Sequence, residues 1–194
     1  MRIFMVAALA LTLVSCGGEE KKEVEKSVYN LDAPASSLNW KGSKDESYFH
    51  IGSVKVTEGK VEMEGDKLTS GSFKIDMKTI KVEDAGDDQA KKDKLASHLN
   101  AEDFFFTSKF PTVEVNVSGY NEGKLATTIK LLGKEIKQDL PVVLTVSDKG
   151  VELKGKFNLD VTSLGMAGLK PSGMPEDKPI NPIFEFDMNL LLKK

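Results

Sequence analysis

Beyond residue 28 the chain is dominated by apolar and polar residues that alternate with period two. Residues 112–118 place Val113, Val115 and Val117 on one side and Glu114 and Asn116 on the other. In residues 151–161, Val151, Leu153, Phe157, Leu159 and Val161 share a face opposite Glu152, Lys154, Lys156, Asn158 and Asp160. Further on, Phe184, Phe186, Met188, Leu190 and Leu192 oppose Glu185, Asp187 and Asn189. Successive side chains of an extended chain point to opposite faces, so each segment predicts a half-buried antiparallel strand. Turn signals separate the strands at Glu58-Gly59, Glu64-Gly65-Asp66, Asn121-Glu122-Gly123, Leu132-Gly133-Lys134 and Asp148-Lys149-Gly150. Glycine reaches the positive φ that tight hairpins require. Many strands joined by hairpins predict an all-β sandwich or closed barrel.

Two regions depart from this pattern. Residues 88–99 are helix formers, and Asn100 is placed to cap a further turn by accepting from a backbone amide near Asp103. Phe104-Phe105-Phe106 and Phe110-Pro111 follow, so this stretch holds four of the ten phenylalanines. A short helical insertion around residues 88–106 is therefore the natural plug over one end of a barrel. The second region, residues 165–182, is rich in proline and glycine; Met166 and Met174 within it read as packing residues rather than soft metal ligands.

The amino terminus has different chemistry. Arg2 precedes an apolar run from Ile3 to Val14, shorter than the roughly 20 residues that span a bilayer but suited to a signal peptide. Leu13-Val14-Ser15-Cys16 resembles the lipobox of bacterial lipoproteins. The likeness implies that residues 1–15 are removed and that Cys16, the only cysteine, becomes the acylated first residue. Acyl chains add about 0.8 kcal/mol per buried methylene, which holds a protein on a membrane without a transmembrane helix. Residues 17–27 are almost all charged or glycine, so residues 16–28 read as a lipidated tether and residues 29–194 as the folded domain. The expected place is the bacterial cell envelope, anchored to the outer membrane on its periplasmic face, or on the cell surface if Glu19-Glu20 acts as an export signal.

Charge and candidate chemistry narrow the function. The formal net charge is -3, with lysines scattered among acids and no basic cluster interleaved with aromatics, which argues against nucleic acid. His50 and His98 are the only histidines, whereas a mononuclear zinc site takes three or four protein ligands; no metal is expected. Asp76, between Ile75 and Met77, faces outward or serves as a hydrogen-bonded structural residue, without the positioned partner an acid catalyst needs. No catalytic constellation is identifiable, and the chain is not expected to be an enzyme.

Six motifs occur in an order that resembles the YceI-like family: Trp40-Lys41-Gly42-Ser43-Lys44, His50-Ile51-Gly52, Gly71-Ser72-Phe73-Lys74-Ile75-Asp76-Met77, residues 95–99 with His98, Asp103-Phe104-Phe105, and Phe110-Pro111-Thr112. The resemblance implies an antiparallel lipocalin-like β-barrel of about eight strands that binds a polyisoprenoid chain, such as a polyprenyl or quinone tail. No cofactor beyond that ligand is implied. The candidate ligand-binding residues are Trp40, His50, Phe73, Ile75, Met77, His98, Phe104, Phe105 and Phe110. The aromatics either line a channel or fill a core; the histidines either meet a ligand head or fix the insertion against a strand. Many relatives carry an arginine, an aromatic and a glycine after the strand matching residues 157–160, where this chain has Val161-Thr162-Ser163-Leu164-Gly165. That departure bears on any polar head-group contact at this position, and with it on the ligand's identity. The competing readings are a structural or interaction lipoprotein with a filled barrel and an enzyme acting on a lipid. A homodimer is kept open as the oligomeric state.

Overall fold

The computed structural model describes residues 25–84, 86, 88–170 and 178–194. The signal segment, Cys16 and Met174 lie outside them. The alternating segments form one antiparallel sheet of ten strands: β1 (Lys26–Leu31), β2 (Ser37–Ser43), β3 (Phe49–Glu64), β4 (Lys67–Val82), β5 (Thr112–Asn121), β6 (Lys124–Leu131), β7 (Lys134–Pro141), β8 (Val143–Ser147), β9 (Gly150–Asp160) and β10 (Ile183–Lys193). A helix, α1 (Gln89–Asn100), lies between β4 and β5. Neighbours run β7-β6-β5-β4-β3-β1-β10-β9-β8, with β2 also pairing β3 and β10.

The ten strands occupy eight positions in a ring. β1 covers the Lys60–Glu64 end of β3, while β2 covers its Phe49–Ser53 end, so these two short strands share one position between β3 and β10. β7 and β8 share another as a single run bent at Pro141-Val142. The expected strand count is thus a count of positions.

Four of the five turn signals are turns. Glu122 and Gly123 (φ 49° and 77°) and Leu132 and Gly133 (φ 54° and 73°) place both central residues at positive φ. That type I′ pattern matches the twist of the flanking strands. Glu58-Gly59 is a correction: β3 runs through it as one 16-residue strand with register shifts against β4. Gly59 lies opposite Phe73, and a Cβ there would stand 2.3 Å from Phe73 Cδ1, so the glycine makes room for a ring instead of bending the chain. A second correction concerns the tether, because β1 starts at Lys26 and pairs with Glu64 inside the segment expected to be loose.

The ring has two unlike ends. The β3–β4, β5–β6 and β8–β9 hairpins close one end; Val61, Met63, Leu68, Val151 and Leu192 are 0–1% exposed near it. At the other end, the expected helical insertion forms a plug. Asp88 is the N-cap of α1, its side chain accepting from the Lys91 amide at 3.1 Å. Leu99 is the buried residue of the helix. Asn100 differs from the expected cap, since it ends α1 and its Nδ2 donates to the Ala96 carbonyl at 2.8 Å. The chain then tightens through Phe106, at φ 42°, which sends successive phenylalanines in different directions. No helix among the described residues is long and apolar enough to cross a membrane.

Candidate functional site

The inward faces of the strands enclose a narrow channel that runs from the hairpin end to the plug. Leu38, Leu125, Leu140 and Leu153 line one end; Val56, Phe73, Ile129 and Phe186 line the middle; Met77, Ile80, Leu99, Phe105 and Phe184 line the other end. The cavity measures about 110 Å³. Every lining side chain is apolar except Thr127, whose hydroxyl donates to the Gln138 carbonyl at 2.6 Å. With its one hydroxyl already bonded, the wall formed by the described residues offers an apolar molecule contact area and presents no free hydrogen-bonding group. Phe157 and Phe186 stack at 5.4 Å between centroids, and Phe105 from the plug meets Phe184 at 6.1 Å. Trp40 lies along the wall with its Nε1 donating to the Ser53 carbonyl at 3.3 Å. Gly52 faces that ring, where a Cβ would stand 2.6 Å from it.

Of the candidate residues, Trp40, Phe73, Ile75, Met77 and Phe105 line the channel. Phe104, one residue from Phe105, turns away; it is buried against Gly168 and edge-on to His98 at 4.9 Å. Phe110 packs against Phe106 and Gly133 on the outer side of the plug. Neither histidine borders the channel. His50 Nδ1 lies 3.1 Å from Asp84 Oδ2, tying the start of β3 to the residues after β4. His98 Nε2 lies 3.2 Å from Asp103 Oδ2, tying the end of α1 to the next turn. Among the described residues, no group of three or more His, Cys, Asp or Glu could hold a metal ion. Asp76 accepts from the Lys78 amide at 3.0 Å on the side away from the channel. Met166 is buried at 6% exposure.

About half of the remaining lining comes from residues whose alternation already marked them as one face, among them Phe157, Leu159, Phe184, Phe186, Met188 and Leu190. Their shared parity is the signal that identifies them. Just after β9, Val161 presents an apolar side chain to the channel. Asp160 accepts from the Thr162 amide at 2.8 Å, and Lys134 Nζ donates to the Ser163 and Leu164 carbonyls at 3.2 and 2.9 Å. This corner is held by its own polar groups.

An antiparallel barrel with an apolar interior, plugged at one end by a helix and turn, defines a lipocalin-like class. The chain matches the YceI-like domain over residues 29–188 and belongs to that family. Among solved structures it is similar to a polyisoprenoid binding domain from Saccharophagus degradans implicated in plant cell wall breakdown, at 16% identity and a TM-score of 0.63, covering 85% of this chain and 97% of that one. It is also similar to BcnA of Burkholderia cenocepacia, at 14% identity and a TM-score of 0.66, covering 84% of this chain and 99% of that one. At these identities the likeness is one of fold. No curated protein matches the chain.

Proposed function

We propose that the protein is a lipid-anchored binding protein of the bacterial envelope that holds a polyisoprenoid-type lipid, a polyprenyl or quinone tail, for shielding, storage or transport. The observation that carries this reading is the continuous apolar lining of the channel, interrupted among the described residues only by a hydroxyl already bonded to backbone. Such a wall rewards length in a ligand, because each buried methylene contributes about 0.8 kcal/mol. It offers nothing to a polar or charged substrate. The fold shared with a polyisoprenoid binding domain supports the same ligand class. Acylation at Cys16 would keep the barrel beside the membrane in which such lipids reside.

A second reading, a filled barrel without ligand, draws on the cavity volume. About 110 Å³ is less than the roughly 150 Å³ apolar void that accepts one benzene ring. A long tail therefore requires the wall to part. One experiment separates the two readings: organic extraction of the protein purified from bacterial membranes, followed by lipid mass spectrometry and titration with polyprenols of increasing length. The binding reading expects a co-purifying isoprenoid and an affinity that rises with each unit until the channel is full. A lipid-free extract with no saturable uptake at any length overturns it. The anchor has its own test, in which Cys16→Ser moves the protein from the membrane fraction to the aqueous one.

A further inference from the structure

We infer that the junction between β7 and β9 is the door through which a hydrocarbon tail reaches the channel, a reading that rests on the proposed function. Every other pair of neighbours in the ring is joined by a backbone ladder. The β8–β9 ladder ends with Val143 opposite Lys154. Past that point the same antiparallel course continues without the ladder. The Pro141 carbonyl lies against Gly155, where a Cβ would stand 2.4 Å from its oxygen. Gln138 Nε2 donates to the Asn158 carbonyl at 2.5 Å, and Lys134 Nζ donates to the Ser163 and Leu164 carbonyls.

The cause of this splaying lies at the bend. Pro141 has no N–H to give to a ladder, and the Val142 amide donates to the Gly123 carbonyl at 2.8 Å, holding the bend toward the β5–β6 turn. Two side chains of β7 therefore replace a row of backbone bonds. The Gln138 bond is exposed, so water competes for it, and each side-chain bond breaks on its own. Directly behind the seam stand Leu140, Phe157 and Leu159 of the channel wall. Among the described residues, neither end offers a comparable opening. Tight hairpins close one, and Leu99 and Phe105 cover the other. A channel this narrow gains width most readily where its wall lacks a ladder, so the tail enters sideways as β7 and β9 part.

The test uses the full-length Cys16→Ser chain. Its single tryptophan, Trp40, lines the channel and reports quenching by menaquinone-4, a quinone with an isoprenoid tail. Asp139→Cys with Asn158→Cys places two thiols on the exposed outer faces of β7 and β9, to be bridged by a short bis-maleimide. Glu114→Cys with Lys130→Cys does the same across the β5–β6 ladder as a control. Bridging the seam is expected to slow quenching at least tenfold relative to the unbridged variant, with the control bridge leaving the rate unchanged. Equal rates in both overturn the inference while leaving the binding reading intact. If the parent chain shows no quenching at all, the proposed function loses its support and hydrogen exchange judges the seam alone. Those amides of residues 134–140 and 155–160 that do not point to β6 or β10 are expected to exchange at least tenfold faster than those of the β4–β5 ladder, and faster still in Gln138→Ala. Protection equal to that of the β4–β5 ladder overturns the door.

Discussion

At the hairpin end, Val61, Met63, Leu68, Val151 and Leu192 are 0–1% exposed and none borders the channel. At the plug end, Trp40, Leu99 and Phe105 are 6–9% exposed and all three border it. The difference follows from how each end is closed. Two-residue turns keep neighbouring strands in register up to their tips, so the side chains between them fill the space. The plug is a separate segment held by local bonds, with Asp88 capping α1 and His98 meeting Asp103. At one end the side chains beyond the channel fill the barrel, and at the other the plug residues border the channel itself.

The largest expected effect lies at the hairpin end. Leu68→Ala empties a fully buried site and is expected to cost about 2–5 kcal/mol in urea denaturation, with Trp40 quenching unaffected at temperatures where the variant stays folded. A change in uptake as large as the change in stability would break the division between the ends. Phe105→Leu acts in the opposite sense. It is expected to cost less than about 1.5 kcal/mol, because the site stays apolar at reduced volume, and to speed uptake by widening the channel beside Phe184. Smaller again is Asp88→Ala, which removes the cap of α1 at a cost of about 1 kcal/mol. Faster hydrogen exchange confined to α1, with little movement of the urea midpoint, would show that the plug loosens independently of the barrel.

Acid gives the smallest effect and involves both ends. Asp32 is held below the ordinary 3.8 of an aspartate by the Lys193 ammonium. Asp45 is lowered by Lys178 and then by Ser47, and Asp160 by the hydroxyl and amide of Thr162. A carboxylate with a depressed folded pKa stabilises the fold above its unfolded value, and that contribution fades as pH falls through the folded one. The urea midpoint is therefore expected to stay level from neutrality to about pH 5 and to drift down below about pH 4. The drift is slight, since these exposed pairs are screened by water. A steep loss already at pH 6 would overturn this account.

The strands β5, β9 and β10 are legible in the chain because period-two alternation is a local property of a half-buried strand. So is the helix before the phenylalanine cluster. Gly59 is not legible: a glycine beside a charged residue signals a turn, and only the ring of Phe73 across the β3–β4 ladder explains why the strand continues. Nor does the run Phe104-Phe105-Phe106 reveal which ring faces inward. The positive φ of Phe106 and the space above Gly168 decide that, and both depend on how the plug seats.

By itself, the sequence determined the alternating strands, most of the turns, the helical plug and the apolar face that each strand turns inward. Neighbours along the chain are enough to set those features. Closure was decided only in the tertiary structure. Ten strands share eight positions, the histidines stay outside the channel, and β7 meets β9 through side chains in place of a ladder. The physical reason is distance along the chain. Pro141 and Val142 bend the strand locally, but whether the freed edge finds a backbone partner depends on where Gly123 and Gly155 lie when the ring closes.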